Sequence, residues 1–294
     1  MNALEWPDER ARRDEIPAFA QHGSNVCLDF HGDPARAGLV VYSDGNHHMA
    51  LGECLERFLA ANPGASDVFY ATTPPRVIVE ALRAGRVRVG NLEIGVRPHL
   101  FIGPPQVLDP LVAQGLLAPH VALARGRGSV LLVKAGNPKR LRDVSDLARE
   151  DITLFISNPR TEAASYALYA ETLKRLARCA GVTLPFLEGD AAAVVYGESI
   201  HHREAPQAVA DGRADAAIVF SHLALRYTRI FPGRFDVVPL AAQGDPDNLS
   251  GETHAALVGD GGAWGALALA FMTGPDGAAI YARHGLEPLA TPRK

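Results

Sequence analysis

Short apolar runs, each cut off by a polar or Gly/Pro turn and most followed by a stretch of helical spacing, set the terms for what this chain can fold into. Gly38-Leu39-Val40-Val41-Tyr42 is one such run. Ser43-Asp44-Gly45-Asn46 breaks it, and Met49, Leu51, Leu55, Phe58 and Leu59 then recur on one helical face. Val68-Phe69-Tyr70-Ala71 is followed by the turn Thr72-Thr73-Pro74-Pro75 and by a helical pattern at Val77, Ile78, Ala81 and Leu82 that Gly85 ends. His99-Leu100-Phe101-Ile102 is a third run, closed by Gly103-Pro104-Pro105. Brief apolar runs with turns at their ends read as strands covered on both faces. Their alternation with amphipathic helices predicts α/β architecture with mainly parallel sheets and flanking helices.

A second series starts at Ser129-Val130-Leu131-Leu132-Val133, which Gly136-Asn137-Pro138 ends. Leu141 to Leu147 read as a short helix, and Thr153-Leu154-Phe155-Ile156 as a strand. Asn158-Pro159-Arg160-Thr161-Glu162 opens a helix through about Arg178. Val194-Val195-Tyr196 precedes the turn Gly197-Glu198-Ser199-Ile200, residues Gln207 to Asp211 read as a helix, and Ala216 to Phe220 as a strand. Phe235 to Pro239, the strand Ala255 to Val258 and helices over Ala263–Met272 and Pro275–His284 complete the series. The 294 residues are too many for one simple core and suit two lobes of ordinary size. Residues 1–35, polar and broken by Pro7, Pro17 and Pro34, read as an N-terminal arm.

Composition narrows the partners. The net charge is −4 and no basic run appears, which argues against nucleic acid or an anionic membrane surface. No stretch of about 18 apolar residues is present to span a membrane. Met1 to Arg10 is charged and lacks an apolar segment of signal-peptide length. The expectation is therefore cytoplasmic, or periplasmic should the true start lie upstream. Cys27, Cys54 and Cys179 are too scattered for a disulfide framework or a metal knuckle, and read as small buried hydrophobes.

In open parallel sheets ligands sit beyond the carboxyl ends of the strands, where helix N-termini present free N–H groups. Four polar strand-to-helix turns fall at such places: Ser43 to His48, Thr72-Thr73, Asn158 to Glu162, and Glu198 to Glu204. Any one of them is an ordinary cap; their coincidence, two in each series, suits a ligand held between lobes that close by a hinge. Two adjacent histidine pairs, His47-His48 and His201-His202, sit at these turns. They leave open a packing role, contact to an anion, or a transition-metal site (Zn, Fe or Ni) completed by Asp44, Glu198 or Glu204. Ser221-His222 has no nucleophile-elbow context, and Asp215 reads as a turn residue.

In order along residues 38–290, these pieces resemble the molybdate-binding branch of the type 2 periplasmic binding proteins, relatives of ABC-transporter solute-binding proteins. The pieces are Val40-Val41-Tyr42-Ser43-Asp44-Gly45-Asn46, Thr72-Thr73-Pro74, Phe101-Ile102-Gly103-Pro104, Val130 to Val133, Ile156-Ser157-Asn158-Pro159, Gly212 to Val219, and Gly274 to Ala279 with His284-Gly285-Leu286. The resemblance implies two lobes, one of residues 36–128 with 236–294 and one of residues 129–235. It implies a small anion or molybdate-like oxyanion held by neutral hydroxyls and N–H groups. By position Asn46 takes the place of the first hydroxyl, Thr72 or Thr73 that of the second, and Pro159-Arg160-Thr161 that of the lobe-two turn; Ser43, Asp44, Gly45, Glu162 and Arg203 are further candidate ligand-binding residues beside them. The chain departs from that pattern in Asp44 and in the histidine pairs. A metal chelate therefore stays open as ligand, with His47, His48, His201, His202, Glu198 and Glu204 as candidate metal ligands. A metal-dependent enzyme on the same fold, in which the metal polarises a carbonyl or activates water, is the alternative. The sequence is also compatible with a homodimer.

Overall fold

The structure, a computed structural model, describes residues 29–289 apart from residues 74, 90, 91, 190–192 and 199. Most of the expected N-terminal arm lies outside the described residues. The described residues divide into two compact units, one of residues 29–125 together with 252–289, the other of residues 126–251. The first contributes β1 (Asp29–His31), β2 (Leu39–Ser43), α1 (His48–Ala61), β3 (Val68–Thr72), α2 (Pro75–Ala84), the hairpin β4 (Val87–Val89) and β5 (Leu92–Ile94), β6 (Leu100–Gly103), α3 (Pro105–Ala113) and β7 (Val121–Arg125). The second contributes β8 (Ser129–Lys134), β9 (Leu154–Ile156), α4 (Ala163–Ala180), β10 (Val194–Tyr196), α5 (His201–Asp211), β11 (Ala216–Phe220), α6 (Ser221–Ile230) and β12 (Phe235–Pro239). The chain then returns to the first unit for β13 (Glu252–Leu257), α7 (Gly262–Thr273), α8 (Pro275–Arg283) and β14 (Glu287–Pro288).

The first unit is built on a seven-stranded sheet in the order β1-β3-β2-β6-β13-β7-β14. Its parallel centre is β3, β2 and β6; β1 on one side and β13, β7 and β14 on the other add antiparallel ladders. Every residue of β2 is buried, as a strand with helices on both faces requires. Pleating sends alternate side chains to opposite faces. Leu39 and Val41 join Leu51, Leu55 and Phe58 of α1, Met272 of α7 and Tyr281 of α8. Val40 and Tyr42 join Ile78 and Leu82 of α2 and Leu108 and Leu111 of α3. At the α7–α8 junction a β-carbon on Gly277 would lie 2.2 Å from the Met272 carbonyl oxygen. Gly277→Ala must therefore move backbone, and urea unfolding should show a loss of roughly 1–3 kcal/mol. A loss below about 0.5 kcal/mol, the range of indifferent surface changes, would show that the junction yields.

The second unit holds a five-stranded sheet in the order β10-β9-β11-β8-β12. β10, β9 and β11 run parallel, β8 runs antiparallel to β11, and β12 antiparallel to β8. One face packs Leu131, Val133, Leu154, Ile156 and Ile218 against Tyr169, Leu173 and Leu176 of α4. α5 lies on β8, β9 and β11, and its Ala205 and Ala208 are fully buried. Small residues there let the helix approach the sheet closely. Pro206 sits inside α5 and has no N–H for the carbonyl four residues back, that of His202. The buried Tyr227 hydroxyl of α6 donates to that carbonyl instead. Tyr227→Phe removes this donor and should cost about 1–3 kcal/mol in urea unfolding, with the helix frayed at its start in hydrogen exchange. An unchanged midpoint would show that the bond adds nothing.

Some elements differ from the sequence reading. The helix expected over Leu141–Leu147 is only a short 3-10 turn, Val144–Ala148. Asn137 bonds both the N–H and the carbonyl of Leu141 through its side chain, and Asp143 accepts from Ser145 N–H, so side chains compete with helical hydrogen bonds. α5 begins already at His201, and α6 fills a stretch read as featureless. Cys54 is buried, but Cys179 is exposed, its thiol donating to Asp247 Oδ2 at 3.2 Å. Among the described residues no helix is long and apolar enough to cross a membrane.

Candidate ligand-binding loops

In the first unit the loops of interest leave the carboxyl ends of parallel strands. Ser43 pairs in register with Thr72 of β3 on one side and with Ile102 of β6 on the other. Thr73 N–H donates to the Ser43 carbonyl at 3.0 Å and Asp44 N–H to the Ile102 carbonyl at 3.2 Å, so the three strand ends are tied together. Ser43, Asp44, His47, Thr72 and Thr73 are all buried. Ser43 Oγ lies 3.0 Å from the Asp44 carbonyl and 2.9 Å from His47 Nε2. Asp44 Oδ1 is 3.2 Å from the same nitrogen, and the Tyr281 hydroxyl is 2.9 Å from His47 Nδ1. Ser43 donates to the carbonyl, Nε2–H to Ser43 Oγ and Tyr281 to Nδ1, which leaves Asp44 Oδ1 buried beside the ring without a hydrogen bond. Burial holds the Tyr281 phenol well above its usual range, so it stays a neutral donor.

Ser43 and His47 thus bond each other, and the half-buried rim of the loop is Gly45, Asn46 and His48. His48 Nδ1 lies 2.9 Å from the Gly45 carbonyl, so Nδ1–H donates to it. α1 starts here without a side-chain cap, its His48 N–H donating to the Gly45 carbonyl at 3.3 Å and its Ala50 N–H to the His47 carbonyl at 3.0 Å. Sequence reasoning missed Tyr281. It reaches this loop from α8, more than two hundred residues away in the chain, and no local pattern marks it.

In the second unit the loops after β9 and β10 are laced together. Gly197 N–H donates to the Ile156 carbonyl at 3.1 Å, and Asn158 Nδ2 donates to the Gly197 carbonyl at 2.9 Å. Asn158 Oδ1 accepts from Arg160 N–H at 2.9 Å, turning Pro159, Arg160 and Thr161 out to solvent. The amino end of α5 is occupied by carboxylates of the chain itself. Glu204 takes Glu198 N–H and Ile200 N–H, each at 2.8 Å, and Glu162 Oε2 takes His201 N–H at 2.8 Å. Burial raises the Glu162 carboxyl to about 7, against the lowering effect of that hydrogen bond and with a raising contribution from Glu204. Arg203 is buried one turn into the helix.

The two histidine pairs behave unequally. His201 is buried between Phe155, with ring centroids 5.5 Å apart, and Tyr169 at 5.1 Å. Burial pushes it down to about 3, so it is neutral across the physiological range. His202 and Glu204 are half-buried and Glu198 is exposed. Among the described residues no three His, Cys, Asp or Glu side chains stand close enough together to hold a metal ion. Of the expected metal ligands, His201 packs between two rings, Glu204 holds the turn before α5, and His47 and His48 bond within the Ser43 loop.

Residues 39–287 match the family described as bacterial extracellular solute-binding protein. The molybdate-binding protein of Mycobacterium tuberculosis is 23% identical over 201 residues, 67% of each chain. The periplasmic molybdate-binding protein of Azotobacter vinelandii shares the fold at a TM-score of 0.61 and 20% identity, over 87% of this chain and 100% of that one. The sulfate-binding protein SubI of Mycobacterium tuberculosis does so at a TM-score of 0.61 and 19% identity, over 85% of this chain and 86% of that one. The architecture is thus the two-lobed α/β fold of the periplasmic binding proteins.

Proposed function

We propose that this chain, which belongs to the bacterial extracellular solute-binding proteins, captures a small oxyanion of the molybdate and sulfate class for an ABC transporter. The observation that carries this reading is the pair of loops at the carboxyl ends of β2 and β3. There the uncharged polar residues Asn46, Thr72 and Thr73 stand with the first turn of α1, which has no side-chain cap. Neutral donors and a helix end suit a desolvated dianion, because they hold it without trapping it as a salt. Relatives that bind molybdate or sulfate support the ligand class. Family membership also favours the extracytoplasmic of the two locations left open by the sequence.

The test is calorimetry and thermal melting with molybdate, tungstate, sulfate and phosphate on the tag-free chain. An oxyanion at a hundred times its Kd should stabilise the fold by about 2.7 kcal/mol, a rise of roughly 5–10 °C in Tm. Thr72→Ala and Asn46→Ala should each weaken binding about tenfold, the worth of about 1.4 kcal/mol. No shift with any of the four anions at millimolar concentration would overturn the reading.

A further inference from the structure

On the first unit, outside the loops just described, two imidazoles meet head to head. His120, just before β7, and His254, on β13, place their Nδ1 atoms 2.9 Å apart. The rings lie edge to face at 74°, with centroids 4.9 Å apart. Both outer nitrogens are already committed. His120 Nε2 is 2.9 Å from Asp109 Oδ1 of α3, and His254 Nε2 is 3.0 Å from Glu252 Oε2. An ionised carboxylate can only accept, so each Nε2 carries the hydrogen. With both rings uncharged in that tautomer, two Nδ1 lone pairs would face each other at hydrogen-bond distance. That contact is repulsive unless something positive lies between them.

We propose that His120 and His254 are the two protein ligands of a site for one divalent transition-metal ion of the zinc, nickel or copper class, its remaining positions filled by water. The span suits a square-planar or six-coordinate ion: two nitrogens at about 2.0–2.1 Å from a metal and about a right angle apart are separated by about 2.9 Å. A carboxylate behind each ring is the arrangement that orients a metal-bound imidazole and raises its basicity. Glu252 is itself anchored, its Oε1 accepting from Arg125 Nε at 3.0 Å. Both histidine side chains keep access to solvent, 19% and 13% exposed, so the ion can exchange. The site is independent of the oxyanion reading and uses none of its residues.

The test uses the full chain without a histidine tag. Copper(II) is titrated with electron paramagnetic resonance as readout, and zinc by calorimetry. One ion per chain should bind, with nitrogen hyperfine structure from two imidazoles. His120→Ala and His254→Ala should each lower affinity at least tenfold, Asp109→Asn should lower it about 10–100-fold, and His284→Ala should leave it unchanged. His120→Gln serves as the second variant should the alanine change disturb folding. No metal bound at millimolar concentration, or binding that survives loss of both histidines, would overturn the proposal and leave a shared proton as the bridge.

Discussion

Replacing Phe155 with alanine should cost about 3–5 kcal/mol in urea unfolding, the largest effect expected of any single truncation in the second unit. Phe155 is fully buried at the middle of β9, which pairs with β10 and β11. Its ring stacks on His201, the first residue of α5, at 5.5 Å. Its Cζ also lies 3.5 Å from where a β-carbon of Gly197 would stand. One ring therefore supports both the turn after β10 and the start of α5. Truncating it removes transfer energy and leaves a cavity beneath the segment that Glu162 and Glu204 hold by its N–H groups. Phe155→Leu, which keeps most of the volume, should cost less than about 1.5 kcal/mol. Hydrogen exchange of Glu198, Ile200 and His201 amides should accelerate in the alanine variant beyond the global loss. A cost below about 1 kcal/mol, or exchange confined to the strands, would show that the turn stands without the ring.

Central strands such as β2 and β3 were legible because they are buried on both faces and so read as unbroken apolar runs. β2, β10 and β11 occupy the residues expected of them, within a position or so. α6 was not legible, although Leu223, Ala224 and Tyr227 give it a buried face. Its one polar entry pair, Ser221-His222, drew a chemical question in place of a structural one. The start of α5 was hidden by composition, since His201, His202 and Arg203 look like a polar loop until tertiary contacts bury the first and third. The site divided in the same way. Local turn chemistry marks Ser43 to His48 and Asn158 to Glu162. It cannot reveal that Tyr281 closes the first set, or that a glutamate before α4 caps the helix that follows β10. The His120–His254 contact, spanning 134 residues, has no sequence signal at all.

Stability of this chain should respond to pH through two neighbouring groups of opposite sign, and removing one should uncover the other. His201 stays neutral in the fold down to about 3, whereas an unfolded histidine takes a proton near pH 6.5. Between those values the unfolded chain binds the extra proton, so stability falls as pH falls, by at most about 1.4 kcal/mol per pH unit. The Glu162 carboxyl keeps its proton up to about 7 in the fold and releases it near 4.5 when unfolded. Its contribution is fully present below about 4.5 and is lost as pH rises toward 7, with a slope reduced by the water that reaches it. From pH 4.5 to 6.5 the two slopes oppose and largely cancel. Glu162→Gln keeps an acceptor for His201 N–H but removes the titration. The stability difference between wild type and this variant should therefore widen steadily as pH falls across that window, by about 1–3 kcal/mol in total. Other carboxylates titrate alike in both proteins and drop out of the difference. Urea midpoints at half-unit pH steps measure it, and a difference that is flat from pH 4.5 to 6.5 would mean that Glu162 ionises in the fold as it does in the open chain.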